Sequence, residues 1–131
     1  RVRFNHRMRC RAGKGAEMKY RLAIFDLDGT VLNTLEDLAA ATNAALEKNG
    51  MPARTIDEVR QMVGNGIRKL CERAVPEGTD GGASEQVYRD FIEWYGAHMY
   101  DSTKPYDGII PMLTRLSACG VRTAVVSNKR D

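Results

Sequence analysis

The spacing of apolar residues along this chain predicts an α/β fold. Residues 20–27 are a short, mostly apolar run, typical of a strand buried on both faces of a parallel sheet. Residues 121–127 have the same character and predict a second strand. Between residues 34 and 99 apolar positions recur at helical spacing instead. The order is strand, helical insert, helix, strand, which suits a right-handed α/β unit.

Polar residues and glycines mark the ends of the predicted helices. The starts carry side chains that accept hydrogen bonds from backbone N–H groups: Thr34, Thr55 and Ser84. The ends and breaks carry glycine or asparagine: Asn49-Gly50, Gly64-Asn65-Gly66 and Gly120. Residues 76–83 predict a loop and residues 101–108 a linker, and a last helix spans about residues 110–119.

The positive charge of the chain is concentrated at its beginning. The formal charge is +3, but residues 1–17 carry six basic residues against Glu17, a net of +5, so the remainder carries +3 − 5 = −2. This distribution argues against nucleic acid as a partner of the folded part. We expect Met18 to be the natural start, with residues 1–17 a disordered, dispensable basic extension. The chain contains no run of about 18 apolar residues, so a membrane partner is not expected.

The three cysteines indicate little disulfide chemistry. Cys10, Cys71 and Cys119 are odd in number and none has CxxC spacing. A disulfide framework or a zinc site is therefore not expected, and a cytoplasmic location suits the composition.

Two carboxylates at the end of the first predicted strand carry the candidate chemistry. Asp26 and Asp28 flank Leu27 and are followed by Gly29-Thr30. Ligands of open α/β sheets bind at the carboxyl ends of strands. One carboxylate there can attack a phosphoryl group, and the second can protonate the leaving oxygen and later activate water. Mg²⁺ would neutralise the charge, and backbone N–H groups of residues 27–29 would hold phosphoryl oxygens.

Two other structures begin with the same residues. An Asx-turn needs only one Asp after a strand. An EF-hand loop also begins with two alternating Asp residues, but Val31 occupies the position of its sharp-turn glycine and a strand precedes it. Both remain alternatives to the phosphoryl-transfer hypothesis.

The ten residues from Phe25 to Thr34, FDLDGTVLNT, resemble the first motif of the haloacid dehalogenase superfamily. Val125-Val126-Ser127-Asn128-Lys129 is similar to its second motif. The helical insert after the first motif and the segment VGNGI at residues 63–67 resemble phosphoglycolate phosphatases. The resemblance covers residues 18–131 and implies a partial Rossmann-like parallel-sheet core with an inserted helical cap domain.

The resemblance also implies roles for individual residues. Asp26 would be the nucleophile and a metal ligand, and Asp28 the general acid/base that gives Mg²⁺ its backbone carbonyl. The substrate-binding residues would be Thr30, Ser127, Asn128, Gly64, Asn65 and Gly66. For the glycine-containing loop, a plain helix–helix turn is the alternative.

The same resemblance implies a domain division and a reaction. Residues 18–33 and 104–131 would form the partial core and residues 34–103 the cap. The expected reaction is hydrolysis of a small phosphorylated metabolite through an aspartyl-phosphate. The alternatives are a phosphomutase, a pyrophosphatase, or a truncated chain without catalysis, because the family's later lysine and acidic motifs do not occur before Asp131. The oligomeric state is not predicted.

Overall fold

The computed structural model describes residues 20–127, and its sheet confirms the α/β class. Strand β1 (Leu22–Phe25) pairs in parallel with β4 (Arg122–Val125), and Phe25 lies opposite Val125. Helix α5 (Ile109–Ala118) precedes β4 and packs against it. The expectations for residues 1–17 and for Asn128 lie outside the described residues.

The strands are less covered than their composition predicts. Leu22 and Ile24 of β1 are 46% and 60% exposed, and Val125 of β4 is 53% exposed. Within residues 20–127 this sheet has two strands, so neither face is covered as in a complete doubly wound sheet. The prediction of burial on both faces is therefore wrong for the described part of the chain.

A second, antiparallel strand pair joins the sheet to the helices. Strand β2 (Leu32–Asn33) lies opposite β3 (Lys104–Pro105), and Tyr106 N–H donates to the carbonyl of Val31 at 3.2 Å. We call β2 and β3 the neck, because the chain enters the helical segment after β2 and leaves it before β3. Neither strand was predicted from the sequence, because two residues are too few to show an alternating pattern.

Four helices lie between the two strands of the neck in sequence and pack around their own apolar core. They are α1 (Leu35–Lys48), α2 (Ile56–Met62), α3 (Ile67–Ala74) and α4 (Gly81–His98). Large buried apolar side chains of this core come from all four helices: Leu46, Val59, Leu70, Cys71, Val87 and Phe91. The phenyl ring of Phe91 also contacts the ring of Tyr95 one turn later, with centroids 5.3 Å apart. We call α1–α4 the helical segment.

The helix starts are confirmed at two of three predicted positions. Thr55 forms a capping box with Glu58, donating its N–H to the carboxylate at 2.7 Å and accepting the Glu58 N–H at 3.2 Å. Thr34 precedes α1 but makes no side-chain capping bond. Ser84 is wrong as a cap, because Asp80 accepts the first free N–H groups and the helix begins at Gly81.

The described cysteines differ in state. Cys71 is a free, buried thiol in α3, as expected for a small hydrophobic residue. Cys119 is disulfide-bonded, contrary to the expectation of unpaired cysteines. The cytoplasmic location therefore stays a prediction. Across residues 20–127, no helix has both the length and the apolarity that a membrane crossing requires.

Candidate active site

Asp26 stands at the first position after β1, where the chain turns sharply. The carbonyl of Leu27 accepts the N–H groups of Val31 and Leu32, both at 3.0 Å, and closes a compact loop. We call residues 26–31 the aspartate turn. Because its first residue continues a parallel strand, the turn lies at the carboxyl edge of the sheet, where the sequence predicted the site.

Gly29 gives the aspartate turn its shape. Its φ of +73° lies in the left-handed region that favours glycine, and its N–H donates to the carbonyl of Leu32 at 2.8 Å. That N–H is therefore committed to the loop. The prediction that it holds a phosphoryl oxygen is wrong. The amides of Leu27 and Asp28 are the remaining candidates for that role.

The two carboxylates of the aspartate turn have different surroundings. Asp26 is exposed, which leaves its oxygens accessible to a substrate. Asp28 is half-buried, and its Oδ1 atom is shielded from solvent. The pair thus offers one accessible and one partly enclosed carboxyl group, an arrangement compatible with phosphoryl transfer through a carboxylate.

Ser127 lies at the same edge of the sheet as the aspartate turn. The parallel register continues past the strands, since Val126 N–H donates to the carbonyl of Phe25 at 2.9 Å. Ser127 follows β4 as closely as Asp26 and Leu27 follow β1, so two of the predicted motifs meet. Thr30 belongs to the aspartate turn and is half-buried, whereas Asn128 lies outside the described residues.

The predicted loop of Gly64, Asn65 and Gly66 connects α2 to α3. Its three φ angles are +121°, +64° and +89°, an unusual run of positive values. The guanidinium of Arg73 in α3 donates from Nη1 to the carbonyl of Met62 at 2.7 Å and to that of Gly64 at 3.4 Å. The loop is thus anchored inside the helical segment and not to the aspartate turn.

Neither of the basic residues after this loop is a free cation. Arg68 pairs with Glu85 of α4, and its guanidinium lies 4.1 Å from the ring centroid of Tyr88. Lys69 pairs with Glu72 on its own helix. Both are therefore paired charges on the surface of α3.

The donor set of the aspartate turn suits a hard cation only in part. A carboxylate and a backbone carbonyl are oxygen ligands of the kind that Mg²⁺ prefers. Residues 20–127 contain no group of three His, Cys, Asp or Glu side chains placed to hold a metal ion. Asp26 and Asp28 alone would therefore give a metal ion an incomplete ligand set, and its other positions would need donors from elsewhere.

Sequence reasoning missed two residues that hold the site's surroundings. Arg73 was not singled out, because a basic residue on an amphipathic helix has no distinctive signal. Asp37 has no distinctive signal either, because an acidic residue is common in the first turn of a helix. Its carboxylate in fact accepts the N–H of Ser102 at 2.8 Å and the hydroxyl of Thr103 at 2.7 Å. Ser102 and Thr103 lie 65 and 66 residues away in sequence, so no local pattern predicts that they are the partners of Asp37.

The curated proteins to which this chain is similar include several phosphatases. A phosphoglycolate phosphatase of Agrobacterium fabrum is 37% identical over 117 residues, which cover 84% of this chain and 48% of that protein. An N-acetylmuramic acid 6-phosphate phosphatase of Pseudomonas aeruginosa is 32% identical and is matched over 86% of this chain and 50% of its own length. The chain thus spans about half the length of the curated relatives it matches.

Solved structures and a family model agree with these relatives. The crystal structure of a predicted phosphoglycolate phosphatase from Haemophilus somnus superposes with a TM-score of 0.78 at 31% identity, covering 88% of this chain and 54% of that one. The model of the haloacid dehalogenase-like hydrolases matches residues 23–131, which include the aspartate turn, the neck and the helical segment. The chain belongs to the haloacid dehalogenase-like hydrolase family.

Proposed function

We propose that this chain carries the nucleophile and the cap of a phosphate-monoester hydrolase that works through an aspartyl-phosphate. The observation that carries the proposal is the aspartate turn. An exposed carboxylate, Asp26, ends a parallel strand, and a half-buried carboxyl, Asp28, follows two residues later. Family membership supports the same chemistry.

The two carboxylates divide the reaction into two displacements. In the first, an Asp26 oxygen attacks phosphorus, the bond from phosphorus to the leaving oxygen breaks, and the carboxylic acid of Asp28 gives its proton to that oxygen. In the second, water attacks phosphorus while Asp28 takes a proton from it. The bond from phosphorus to Asp26 breaks, and inorganic phosphate leaves with the nucleophile restored.

Magnesium is part of this proposal. The carboxylate of Asp26 and the backbone carbonyl of Asp28 would hold it, and when bound it would neutralise charge on the phosphoryl oxygens. Ser127 would donate its hydroxyl to one of those oxygens, with Thr30 and Asn128 beside it. These roles follow the family motifs and the shared sheet edge of the two strands.

The helical segment is proposed to act as a cap. On this division, residues 18–33 and 104–131 belong to the core and residues 34–103 to the cap. The loop of Gly64, Asn65 and Gly66 would contact the substrate, and its lack of bulky side chains favours close approach of the backbone to an anion. Arg73 supports this role, because it restrains the loop from the side of α3.

The substrate is proposed to be a small phosphorylated acid, of which 2-phosphoglycolate is the first candidate. Phosphoglycolate phosphatases recur among the relatives, and the Pseudomonas relative is named for another phosphorylated acid. We propose no nucleic acid or membrane partner.

The test is an assay of phosphate release with Mg²⁺, using a version of the chain extended to the length of the relatives. We expect turnover of 2-phosphoglycolate above that of pyrophosphate or of hexose phosphates. Isomerised sugar phosphate without free phosphate would instead show a phosphomutase. Absence of turnover on all of these substrates by a folded, extended protein would reject the proposed function.

A further inference from the structure

The carboxylate of Asp37 joins the two ends of the helical segment. This side chain lies in the first turn of α1, just after β2, and the residue is only 2% exposed. It accepts the Ser102 N–H at 2.8 Å and the Thr103 hydroxyl at 2.7 Å. Both donors immediately precede β3. One buried side chain therefore holds the start of α1 to the residues that precede β3.

Burying a carboxylate is costly unless hydrogen bonds compensate for lost water. Here an N–H and an O–H group each donate to a separate oxygen of the side chain. Hydrogen bonds to an ionised acceptor are about twice as strong as neutral ones. The N-terminus of α1 adds a favourable dipole. The arrangement thus restrains the neck more firmly than its two short strands do alone.

The neck in turn is bonded to the aspartate turn. Tyr106, directly after β3, donates its N–H to the carbonyl of Val31 at 3.2 Å, and Val31 donates its own N–H to the carbonyl of Leu27 at 3.0 Å. Hydrogen bonds joined by the backbone of residues 103–106 therefore connect Asp37, through the neck, to the turn that carries Asp26. A shift of the neck changes where the helical segment sits relative to the nucleophile.

We propose that Asp37 is a positioning residue, which fixes the neck and thereby sets how the helical segment meets the aspartate turn. Restraint of the neck follows from the contacts alone. The consequence for substrate binding rests on the proposed function. Asp37 touches neither the aspartate turn nor the loop at residues 64–66 in the contacts that define its role, so it acts through the neck.

A purely helical role is the competing explanation, and the chain offers a matched control. Glu36 is also acidic, also in the first turn of α1, but exposed. If Asp37 served only the helix dipole, Glu36→Ala and Asp37→Ala would have similar effects. If Asp37 positions the neck, only Asp37→Ala loosens it.

The first experiment measures amide hydrogen exchange in the 131-residue chain. We expect Asp37→Ala to speed exchange at Ser102 and Tyr106 about tenfold or more, with little change in the core of α3 and α4. Thr103→Val removes one of the two bonds and should produce a smaller effect at the same amides. It also provides the test if the alanine variant fails to fold. Uniform acceleration throughout, or none at the neck, would overturn the proposal.

A conservative variant separates hydrogen bonding from charge. In Asp37→Asn, the amide oxygen can still accept from Ser102, and the amide NH₂ can donate to a Thr103 hydroxyl that has rotated to accept. The rates of amide exchange at Ser102 and Tyr106 should therefore be much closer to the wild-type rates than they are in Asp37→Ala. Exchange as fast as in the alanine variant would contradict the proposal that hydrogen bonds from Ser102 and Thr103 to residue 37 restrain the neck.

The second experiment measures kinetics on 2-phosphoglycolate in the extended version. Asp37→Ala should lower kcat/KM about tenfold, chiefly by raising KM, because Asp26 and Asp28 are unchanged. Asp37→Asn should restore most of the loss, and Glu36→Ala should have no effect. Faster neck exchange with unchanged kinetics would overturn the positioning role. If the unmutated extended protein has no phosphatase activity, the proposed function fails, whereas the exchange measurement still decides whether Asp37 restrains the neck.

Discussion

At the scale of single residues, Asp26 is the position on which the proposed chemistry depends most. Replacing it by asparagine leaves an amide, which is a poor nucleophile and a weaker metal ligand. In the extended version we expect phosphate release to fall by about 10³-fold or more, as happens when a catalytic nucleophile is removed. Phosphate assays of purified protein, with circular dichroism to verify folding, provide the measurement.

The carboxylate of Asp57, exposed on α2, provides a matched control for this variant. Asp57→Asn makes the same chemical change on the surface of the helical segment, so activity should stay near wild type. Near-normal turnover by a folded Asp26→Asn protein would remove Asp26 from the mechanism.

Cys71 supplies a second residue-scale prediction. Burial in α3 raises the pKa of its thiol to about 12. At pH 8 the reactive thiolate is therefore scarce, and alkylation by iodoacetamide in the folded chain should be very slow. Mass spectrometry of the peptide containing Cys71, with and without denaturant, measures the difference. Native labelling as fast as in denaturant would contradict the buried, protonated state.

Residue-scale features differ in how much of them the sequence reveals. The aspartate turn was predictable because Asp26, Asp28 and Gly29 are adjacent and the preceding strand is locally encoded. The commitment of the Gly29 N–H to Leu32 was not, since the direction of an amide depends on the folded loop. The partners of Asp37 were equally hidden, because they lie 65 and 66 residues away.

At the scale of elements, Asp90 links α4 to α1. Its carboxylate lies 2.8 Å from the ammonium of Lys48 and accepts an N–H of the Asn49 amide at 2.7 Å. The hydrogen bond from Lys48, followed by that from Asn49, holds the pKa of Asp90 below its usual value of 3.8. The residue is 6% exposed, so these contacts replace most of its water.

This lowered pKa predicts acid sensitivity of the α1–α4 contact. A carboxyl with a depressed pKa in the folded state stabilises the fold fully above its unfolded pKa, and the stabilisation is lost as pH falls through the folded value. We expect the thermal stability of the wild type to drop when pH falls below about 4. In Asp90→Asn, stability at pH 7 should be lower and the additional acid loss smaller.

Glu93 gives the matched control for Asp90, because it pairs with the same ammonium of Lys48 at 3.2 Å but is exposed on α4. Exposed ion pairs contribute little to stability. Glu93→Gln should therefore preserve both the neutral stability and the acid transition. Melting temperatures of the three proteins at pH 7 and pH 3 make the comparison, and an unchanged acid transition in Asp90→Asn would refute the assignment.

The elements also show where sequence patterns stop being informative. The helices of the helical segment were predictable because their apolar residues recur over several turns. The start of α4 was misplaced, because Asp80 and Ser84 are both good caps and glycines at residues 81–82 disguised the first turn. The neck was missed because its strands are stabilised by pairing between distant residues and not by their own composition.

At the scale of the whole molecule, the helical segment and the sheet differ in completeness. The helical segment has a continuous buried core drawn from four helices. The described sheet has two parallel strands with large apolar side chains exposed: Tyr20, Leu22, Ile24, Val125 and Val126. The chain matches about half the length of its curated relatives. We therefore expect most of the stability to come from the helical segment, whereas the proposed catalytic residues lie on the less complete sheet.

The last prediction concerns the 131-residue chain itself, which we expect to be a poor phosphatase. Mg²⁺ prefers about six oxygens in near-octahedral geometry. Asp26 and Asp28 would supply two of these, and residues 20–127 contain no group of three His, Cys, Asp or Glu side chains placed to hold a metal ion. Each missing electrostatic group typically costs about 10²–10³ in rate. Phosphate release should therefore be far below that of the extended version.

The exposed strands add a second expected difference between the two proteins. Within residues 20–127 the sheet has two strands and exposed apolar side chains, which favours self-association, so the 131-residue chain should aggregate at lower concentration. Both proteins are purified side by side, phosphate release is assayed with and without Mg²⁺, and light scattering follows association. Comparable Mg²⁺-dependent turnover by the two would show that residues 1–131 already contain every ligand needed. The search for the missing ligands would then include the parts of this chain outside residues 20–127, because the described residues contain no group of three His, Cys, Asp or Glu side chains placed to hold a metal ion.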